Sequence, residues 1–253
     1  TRECARDGGD AVGQQATYGQ AVGIIMQADT ILRLPGDVGN ATTFSFPVRY
    51  EIVSGVDPAD LKRPDRARAA VPRFVEAAQA LERTGARVIG TGCGYLALMQ
   101  RDLQRAVGVP VLGSSLLQVP WVAATLPSGK RVGIVTADSR ALDDTYFEPL
   151  GWTTRTIPVA VRGIEGERRF LELLHRNALE DADIAEMHRT MANLARAFAG
   201  DHPDLGALVL ECTNLPPFAA SMQRACKLPV FDVVTLLAWA HSGVVRRPFV
   251  GHL

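Results

Sequence analysis

Short apolar runs alternate with amphipathic segments along most of this chain. Runs rich in β-branched residues are typical of strands buried on both faces, and they occur at 22–28, 88–90, 132–136 and 207–210. Apolar residues at helical spacing predict helices at 67–84 and 96–107, each followed by a glycine, and one or two long helices over 170–199. Strands that alternate with helices predict parallel sheets with right-handed crossovers, and hence an α/β fold.

The chain also contains two related halves. The segment VGIIMQADT at 22–30 resembles VGIVTADS at 132–139, and GARVI at 85–89 resembles GALVL at 206–210. The second pair leads into Cys93 and Cys212, and Pro110 and Pro229 each follow their cysteine by 17 residues. Because these matches keep the same order, the sequence predicts a duplicated α/β unit with two similar domains related by a pseudo-twofold axis.

The duplication places four polar residues at equivalent strand ends. Asp29, Cys93, Thr136 and Cys212 all follow a predicted strand directly or close it. Ligands of parallel α/β sheets bind beyond the carboxyl ends of the strands. We therefore expect Cys93 and Cys212 to face each other across a cleft between the halves.

Two thiols on opposite sides of one carbon suit proton transfer. One can remove a proton while the other delivers one to the opposite face, which is racemisation by two bases without a cofactor. A cysteine that ends a strand and opens a helix also lies where backbone N–H groups favour a thiolate. The alternative interpretation, that Cys93 and Cys212 are inert buried cysteines, is weakened by their equivalence in the two halves. It is retained for Cys4 and Cys226, which have no equivalents.

Composition excludes several other classes of protein. The 253 residues include 27 Lys plus Arg and 27 Asp plus Glu, so no net field recruits nucleic acid or an anionic membrane. No apolar run approaches the roughly 20 residues of a spanning helix. Four cysteines without a CxxC pair, and histidines without ligand spacing, predict neither a disulfide scaffold nor a metal site. Residues 1–20 lack a secretory pattern, which predicts a flexible extension on a cytoplasmic protein.

Three strings resemble the aspartate/glutamate racemase superfamily, in a branch near hydantoin racemases, maleate isomerases and arylmalonate decarboxylases. They are TGCGYL at 91–96, SSLLQVP at 114–120 and ECTNLPP at 211–217. The likeness runs from about residue 22 to residue 237. It implies a first α/β domain formed by 21–115 with 232–253, a second formed by 116–231, and an active site between them.

The resemblance also implies a small carboxylate-type substrate, no cofactor, and catalytic roles for Cys93 and Cys212. A homodimer is one of the assemblies it allows. Residues that match substrate-binding positions, or flank the matched cysteines, are Asp29, Gly94, Tyr95, Ser114, Thr136, Thr213 and Asn214. Capping or turn roles are alternatives for Asp29, Ser114 and Thr136, and packing is one for Tyr95.

The expected function is a cofactor-independent racemase or isomerase that acts beside a carboxylate or a related acidic carbonyl. Glutamate racemases continue their two cysteines with Asn-Thr and Thr-His, whereas this chain has Gly94-Tyr95 and Thr213-Asn214, so glutamate itself is not indicated. One alternative is a cis–trans isomerase or decarboxylase of a small dicarboxylate that uses a single thiolate. Another is a non-catalytic small-molecule binding protein that kept the two-domain shape.

Overall fold

The first half of the chain forms a four-stranded parallel sheet. The computed structural model describes residues 17–251, so most of the predicted extension at 1–20 lies outside the described residues. The strands are β1 (Val22–Gln27), β2 (Val48–Val53), β3 (Val88–Thr91) and β4 (Val111–Leu112), in the order β2-β1-β3-β4. All three pairings are parallel, and residues of β1 and β3 are buried throughout.

The second half repeats this arrangement. Its strands are β5 (Arg131–Thr136), β6 (Val159–Gly163), β7 (Leu205–Leu210) and β8 (Val230–Phe231), in the order β6-β5-β7-β8. Each strand therefore occupies the same place as its counterpart in the first sheet, and all pairings are again parallel. The predicted fold, with two similar parallel α/β domains, is confirmed.

Helices flank both sheets and contribute buried residues to the cores on them. They are α1 (Pro64–Arg83), α2 (Gln100–Ala106), α3 (Gln118–Thr125), α4 (Asp144–Phe147), α5 (Arg168–Leu174), α6 (Asp181–Asp201), α7 (Ala219–Cys226) and α8 (Val233–Val244). Short 3₁₀ turns lie at Ala41–Thr43, Pro58–Lys62, Gly94–Met99, Ser115–Leu117, Glu148–Leu150 and Pro216–Phe218. No helix within the described range is both long and apolar enough to cross a membrane.

The helix that follows Cys93 differs from its prediction. The segment 96–107 was expected to be a single helix, but it starts with the 3₁₀ turn Gly94–Met99 and becomes α-helical only at α2. Every residue of this turn is buried, so tertiary packing decides its geometry. Two of the four outer strands, β2 and β6, are not marked by an apolar run, because their residues are mostly half-buried and include charges.

The C-terminal helix α8 packs on the first sheet rather than on the second. Val233, Leu237 and Ala240 share a buried cluster with residues of β1 and β3. The approach is close, since a Cβ atom on Gly90 would lie 2.5 Å from Leu237 Cδ2. Asp232 begins the helix with a capping box, accepting a 2.8 Å bond from the Thr235 N–H. The exact domain boundaries, 21–115 with 232–253 and 116–231, stay a prediction.

The two domains also share a hydrophobic core on the side of α1 and α4. Tyr146 of α4 is fully buried and donates a 3.0 Å hydrogen bond from its hydroxyl to the Leu61 carbonyl of the first domain. Tyr95 packs edge-on against Tyr146 with ring centroids 5.3 Å apart. Burying two large aromatic rings at this junction holds the strand ends of both sheets against one another.

Candidate active site

A cavity of about 550 Å³ lies where the carboxyl ends of the two sheets meet. Its walls come from both domains and include Cys93 and Cys212, as the duplication predicts. This volume lies within the range typical of pockets for small ligands. Of the predicted substrate-binding residues, the cavity is lined by Asp29, Gly94, Tyr95, Thr213 and Asn214.

Cys93 lies immediately after β3 and at the start of the Gly94–Met99 turn. It is partly exposed to the cavity and forms no disulfide. Burial of the thiol, reinforced by the nearby Glu211 carboxylate, raises the pKa of Cys93 to about 12. The N–H groups of Tyr95 and Leu96 and the charge of Lys62 act in the opposite direction but are outweighed. Desolvation therefore opposes the thiolate that the sequence analysis expects at this position.

Cys212 occupies the equivalent position after β7 and is more deeply buried, with 8% of its surface exposed. Burial and the charge of Glu211 raise the pKa of Cys212 to about 12 as well. The Asn214 N–H lowers this pKa, whereas the electrostatic influence of Cys93 raises it further. Both thiols therefore hold their protons at neutral pH until something else removes them.

Glu211, the residue before Cys212, is the site residue that the sequence analysis missed. Its side chain lines the cavity with only 1% of its surface exposed, and burial raises the pKa of its carboxyl to about 7. Oε2 accepts a 2.6 Å hydrogen bond from the Thr136 hydroxyl. Oε1 has no hydrogen-bond partner among residues 17–251. The sequence could have indicated this residue, because Glu211 comes directly after the apolar strand LGALVL and acids next to such buried strands are rare without a function.

Thr136 does not reach the cavity, contrary to its predicted contact with substrate. It is fully buried, and its hydroxyl lies between Glu211 and the Tyr95 phenol, 3.2 Å from the latter. Tyr95 also accepts a 3.2 Å bond from the Asp138 N–H. Thr136 therefore orients Glu211 and Tyr95, because the end of β5 is covered on both sides. Burial raises the pKa of Tyr95, so its phenol stays neutral.

Asp29 lines the cavity, but its charge is already paired. Arg33 Nη2 donates to both carboxylate oxygens of Asp29 at 2.7 and 2.8 Å. The other terminal nitrogen of Arg33 binds Asp37 Oδ1 and Asn214 Oδ1, each at 3.1 Å. Arg33 thus links the loop after β1 to the segment after Cys212. The structure favours a positioning role for Asp29 and Asn214.

Ser114 and Thr213 both make hydrogen bonds within the protein. Ser114 is buried away from the cavity and accepts a 3.2 Å bond from the Leu116 N–H, which is the capping role given above as its alternative. Thr213 lines the cavity and donates a 2.7 Å bond to the Gly92 carbonyl across the domain junction. Its hydroxyl therefore fixes the backbone beside Cys93 to the backbone beside Cys212.

Two further polar residues of the cavity were not singled out from the sequence. Lys62 lines the cavity, and its ammonium forms no ion pair or hydrogen bond within the part of the chain that the structure describes. Gln27 is buried at the end of β1, and its Nε2 atom has no partner among the described residues. Both supply donors that suit a carboxylate. No cluster of His, Cys, Asp and Glu suited to a metal ion occurs within residues 17–251.

Comparison with curated proteins points to a lyase. The chain is 28% identical over 225 residues to a dimethylsulfoniopropionate lyase of Durusdinium sp. clade D, covering 86% of this chain and 73% of that protein. It is 28% identical over 255 residues to dimethylsulfoniopropionate lyase 5 of Emiliania huxleyi, covering 96% of this chain and 48% of that protein. The chain thus spans between about half and three quarters of these relatives. It matches no protein-family model.

These relatives correct the activity expected from the sequence. The prediction of a racemase or isomerase is contradicted, because the curated proteins that this chain resembles are named for bond cleavage. The residues that suggested racemisation are present and share a cavity, but a pair of thiols does not by itself distinguish the two reactions. Each reaction can begin with removal of a proton beside a carboxylate.

Solved structures show the fold. The chain aligns with unliganded arylmalonate decarboxylase at a TM-score of 0.53 and 16% identity, covering 89% of this chain and 92% of that one. It aligns with aspartate racemase of Picrophilus torridus at 0.54 and 17%, covering 89% and 94%. It aligns with a glutamate racemase of Bacillus anthracis at 0.52 and 16%, covering 88% and 82%. The chain therefore has the fold of the aspartate/glutamate racemase superfamily.

Proposed function

We propose that this chain is a lyase that cleaves dimethylsulfoniopropionate, or a closely similar sulfonium carboxylate, by β-elimination. The observation that carries the proposal is that Cys93, Cys212 and the buried carboxylate of Glu211 line one cavity. The names of the relatives supply the reaction class and the substrate.

The substrate has a carboxylate at one end and a positively charged sulfur on the β-carbon. A thiolate takes a proton from the α-carbon, and the electrons of that C–H bond form the carbon–carbon double bond. The bond between the β-carbon and sulfur breaks with its electron pair going to sulfur. Neutral dimethyl sulfide and acrylate leave, and the thiol is restored. This step needs one base, so the second thiol is not required to deliver a proton to carbon.

The cavity offers complementary groups for both ends of such a substrate. The ammonium of Lys62 and the amide of Gln27 suit the carboxylate of the substrate. Negative charge builds up on this carboxylate as the α-proton leaves, so the two donors would also stabilise the transition state. The sulfonium suits a wall with negative charge and apolar surface. Residues of that kind in the cavity are Asp57, Ile31, Ile164, Leu171 and Leu174.

The proposal is tested by incubating the purified chain with dimethylsulfoniopropionate. Dimethyl sulfide is measured in the headspace by gas chromatography, and acrylate is measured in solution by proton NMR. The matched control is the double variant Cys93→Ser, Cys212→Ser, which preserves shape but lacks a thiol that can act as a base near neutral pH. Equal release of dimethyl sulfide by the control would exclude thiol chemistry. Absence of release from the wild-type chain would reject the substrate.

A further inference from the structure

Glu211 lines the same cavity as the two thiols and has an oxygen that the fold leaves unsatisfied. Its backbone leads directly into Cys212, and its side chain presses on the segment after Cys93. A Cβ atom on Gly94 would lie 2.2 Å from Glu211 Oε1 and 2.3 Å from its carbonyl oxygen. Only a glycine allows this approach, since real Cβ atoms do not come within 3.0 Å of such neighbours. The carboxyl group therefore lies against the backbone that carries the first thiol and belongs to the residue that precedes the second.

The two oxygens of Glu211 have different surroundings. Oε2 is satisfied by the Thr136 hydroxyl at 2.6 Å, and Thr136 is in turn 3.2 Å from the Tyr95 phenol. Oε1 has no partner within the described range of 17–251, although the residue is 1% exposed. A buried acceptor without a partner costs free energy, so it indicates a group that is satisfied at another stage of the reaction. A proton is the smallest such group.

Asp29, the acidic residue that the sequence analysis placed at the site, is less suited to this task. Both of its oxygens accept hydrogen bonds from Arg33 at 2.7 and 2.8 Å. A carboxylate held by a guanidinium in this way is a poor proton acceptor. Glu211 has no such cation bonded to it, although Lys62 acts on it from a distance.

We propose that Glu211 is the proton acceptor for the thiols, and that it acts on the substrate only through them. It is thus a positioning residue, because its own protonation determines whether the reacting cysteine is a thiol or a thiolate. When the thiol of the reacting cysteine turns to contact Oε1, its S–H bond breaks as an O–H bond forms on Glu211, which leaves a thiolate beside a neutral carboxyl. The thiolate then removes the α-proton and becomes a thiol again. Glu211 releases its proton to solvent, so each elimination yields one acrylate, one dimethyl sulfide and one proton.

This assignment agrees with the electrostatics of the site. The Glu211 charge raises the pKa of both cysteines, so neutralising it favours a thiolate on either side. Burial raises the pKa of Glu211 itself to about 7, where it can gain and lose a proton under ordinary conditions. The titratable and charged groups that interact with it, from every element packed around it, are Lys62, Cys93, Tyr95, Tyr146 and Cys212.

The role in turnover rests on the proposed lyase function, but the proton transfer itself can be tested without substrate. We would measure the rate of alkylation by iodoacetamide at Cys93 and Cys212 as a function of pH, by peptide mass spectrometry. Cys226, at the end of α7 and away from the cavity, is the internal reference. In the wild type we expect a step in reactivity near pH 7, followed by a plateau, because transfer to an ionised Glu211 gives a small constant fraction of thiolate.

The decisive variant is Glu211→Gln, which keeps the shape but cannot accept a proton. We expect the step near pH 7 to vanish and reactivity to rise only with direct ionisation of the thiol. Because the variant also lacks the charge that raises the pKa of both thiols, its elimination should be similar to that of the wild type near pH 7 and should keep rising above it, where the wild type levels off. Identical alkylation profiles in the two proteins would overturn the inference, whatever the substrate proves to be. A profile that loses its step, in a protein that releases no dimethyl sulfide, would uphold the inference and reject the substrate.

A structural role for Glu211 gives a different pattern. Loss of packing would lower activity at all pH values alike, without moving the profile. Thermal unfolding of the variant separates the two cases, as does Glu211→Asp, which retains an acid at a shorter reach. We expect the Asp variant to recover a step in the alkylation profile. Glu211 would be assigned to packing alone by two results together. The alkylation profile of the Gln variant would match that of the wild type, and a folded Asp variant would show no recovery of the step.

Discussion

The hydroxyl of Thr136 donates a 2.6 Å hydrogen bond to Oε2 of Glu211 and thereby joins the end of β5 to the end of β7. Neither partner is exposed by more than 1%. This bond lowers the pKa of Glu211, in opposition to the larger effect of burial. Thr136 thus acts on the cavity through the carboxyl it orients, although it touches no part of the cavity itself.

Replacing Thr136 with valine should raise the pKa of Glu211 further, because the ionised carboxylate loses a donor. We expect the acidic limb of the activity profile to move up by about one pH unit, the value of a hydrogen bond to a charged group. The measurement is the pH dependence of dimethyl sulfide release. Thr125→Val is the matched control, since its hydroxyl bonds to Val122 within α3. A control that moves the limb equally would contradict this account.

The single variants Cys93→Ser and Cys212→Ser should affect elimination unequally. Elimination takes one proton from one face, so only one thiol serves as the base. We expect that variant to lose dimethyl sulfide release by about 1,000-fold, within the range for general base catalysis, and the other to retain a substantial part. The variant with the larger loss identifies the base. Complete loss in both variants, with both proteins folded, would contradict a mechanism with one base.

Stability should depend on pH through Glu211. Its pKa is raised from 4.5 in the unfolded chain to about 7 in the fold, so the folded protein keeps a proton that the unfolded chain gives up. The stabilising contribution is complete below pH 4.5 and is lost as pH rises through about 7. The loss amounts to about 3 kcal/mol, from roughly 1.4 kcal/mol for each pH unit.

Urea unfolding of the wild type and of Glu211→Gln at several pH values tests this dependence. The difference between their free energies of unfolding should change across the window from 4.5 to about 7 and be constant on either side. Other groups that titrate in this window cancel in the difference. A difference that does not vary with pH would mean that the carboxyl titrates normally.

Arg33 should be necessary for the stability of the cavity wall. Replacing it with methionine leaves Asp37, whose side chain is 3% exposed, without its cation and also releases Asp29 and Asn214. We expect a loss of about 3 kcal/mol, as for other broken buried ion pairs. Arg140→Met is the control, because Arg140 is 77% exposed and its pair with Asp138 should contribute about 0 to 1 kcal/mol. Thermal unfolding compares the two, and similar losses would contradict this prediction.

Much of this architecture is determined by the sequence itself. Continuous apolar runs of β-branched residues specify central strands such as β1 and β7, because only a strand covered on both faces tolerates them. The repeated order of motifs indicated two similar domains and placed Cys93 and Cys212 at equivalent strand ends. The outer strands β2 and β6 gave no such signal, since half-buried edges admit charged residues.

Only the tertiary structure decided the chemistry of the site. The pKa values of both thiols and of Glu211 depend on how much water two separate domains exclude, and a linear pattern carries no measure of that desolvation. The same burial removed Thr136 and Ser114 from the cavity and brought Lys62 and Gln27 to it. A strand-end position specifies the edge of the sheet at which a side chain lies. Which neighbours reach that side chain, and whether water does, is settled only when the two sheets pack together.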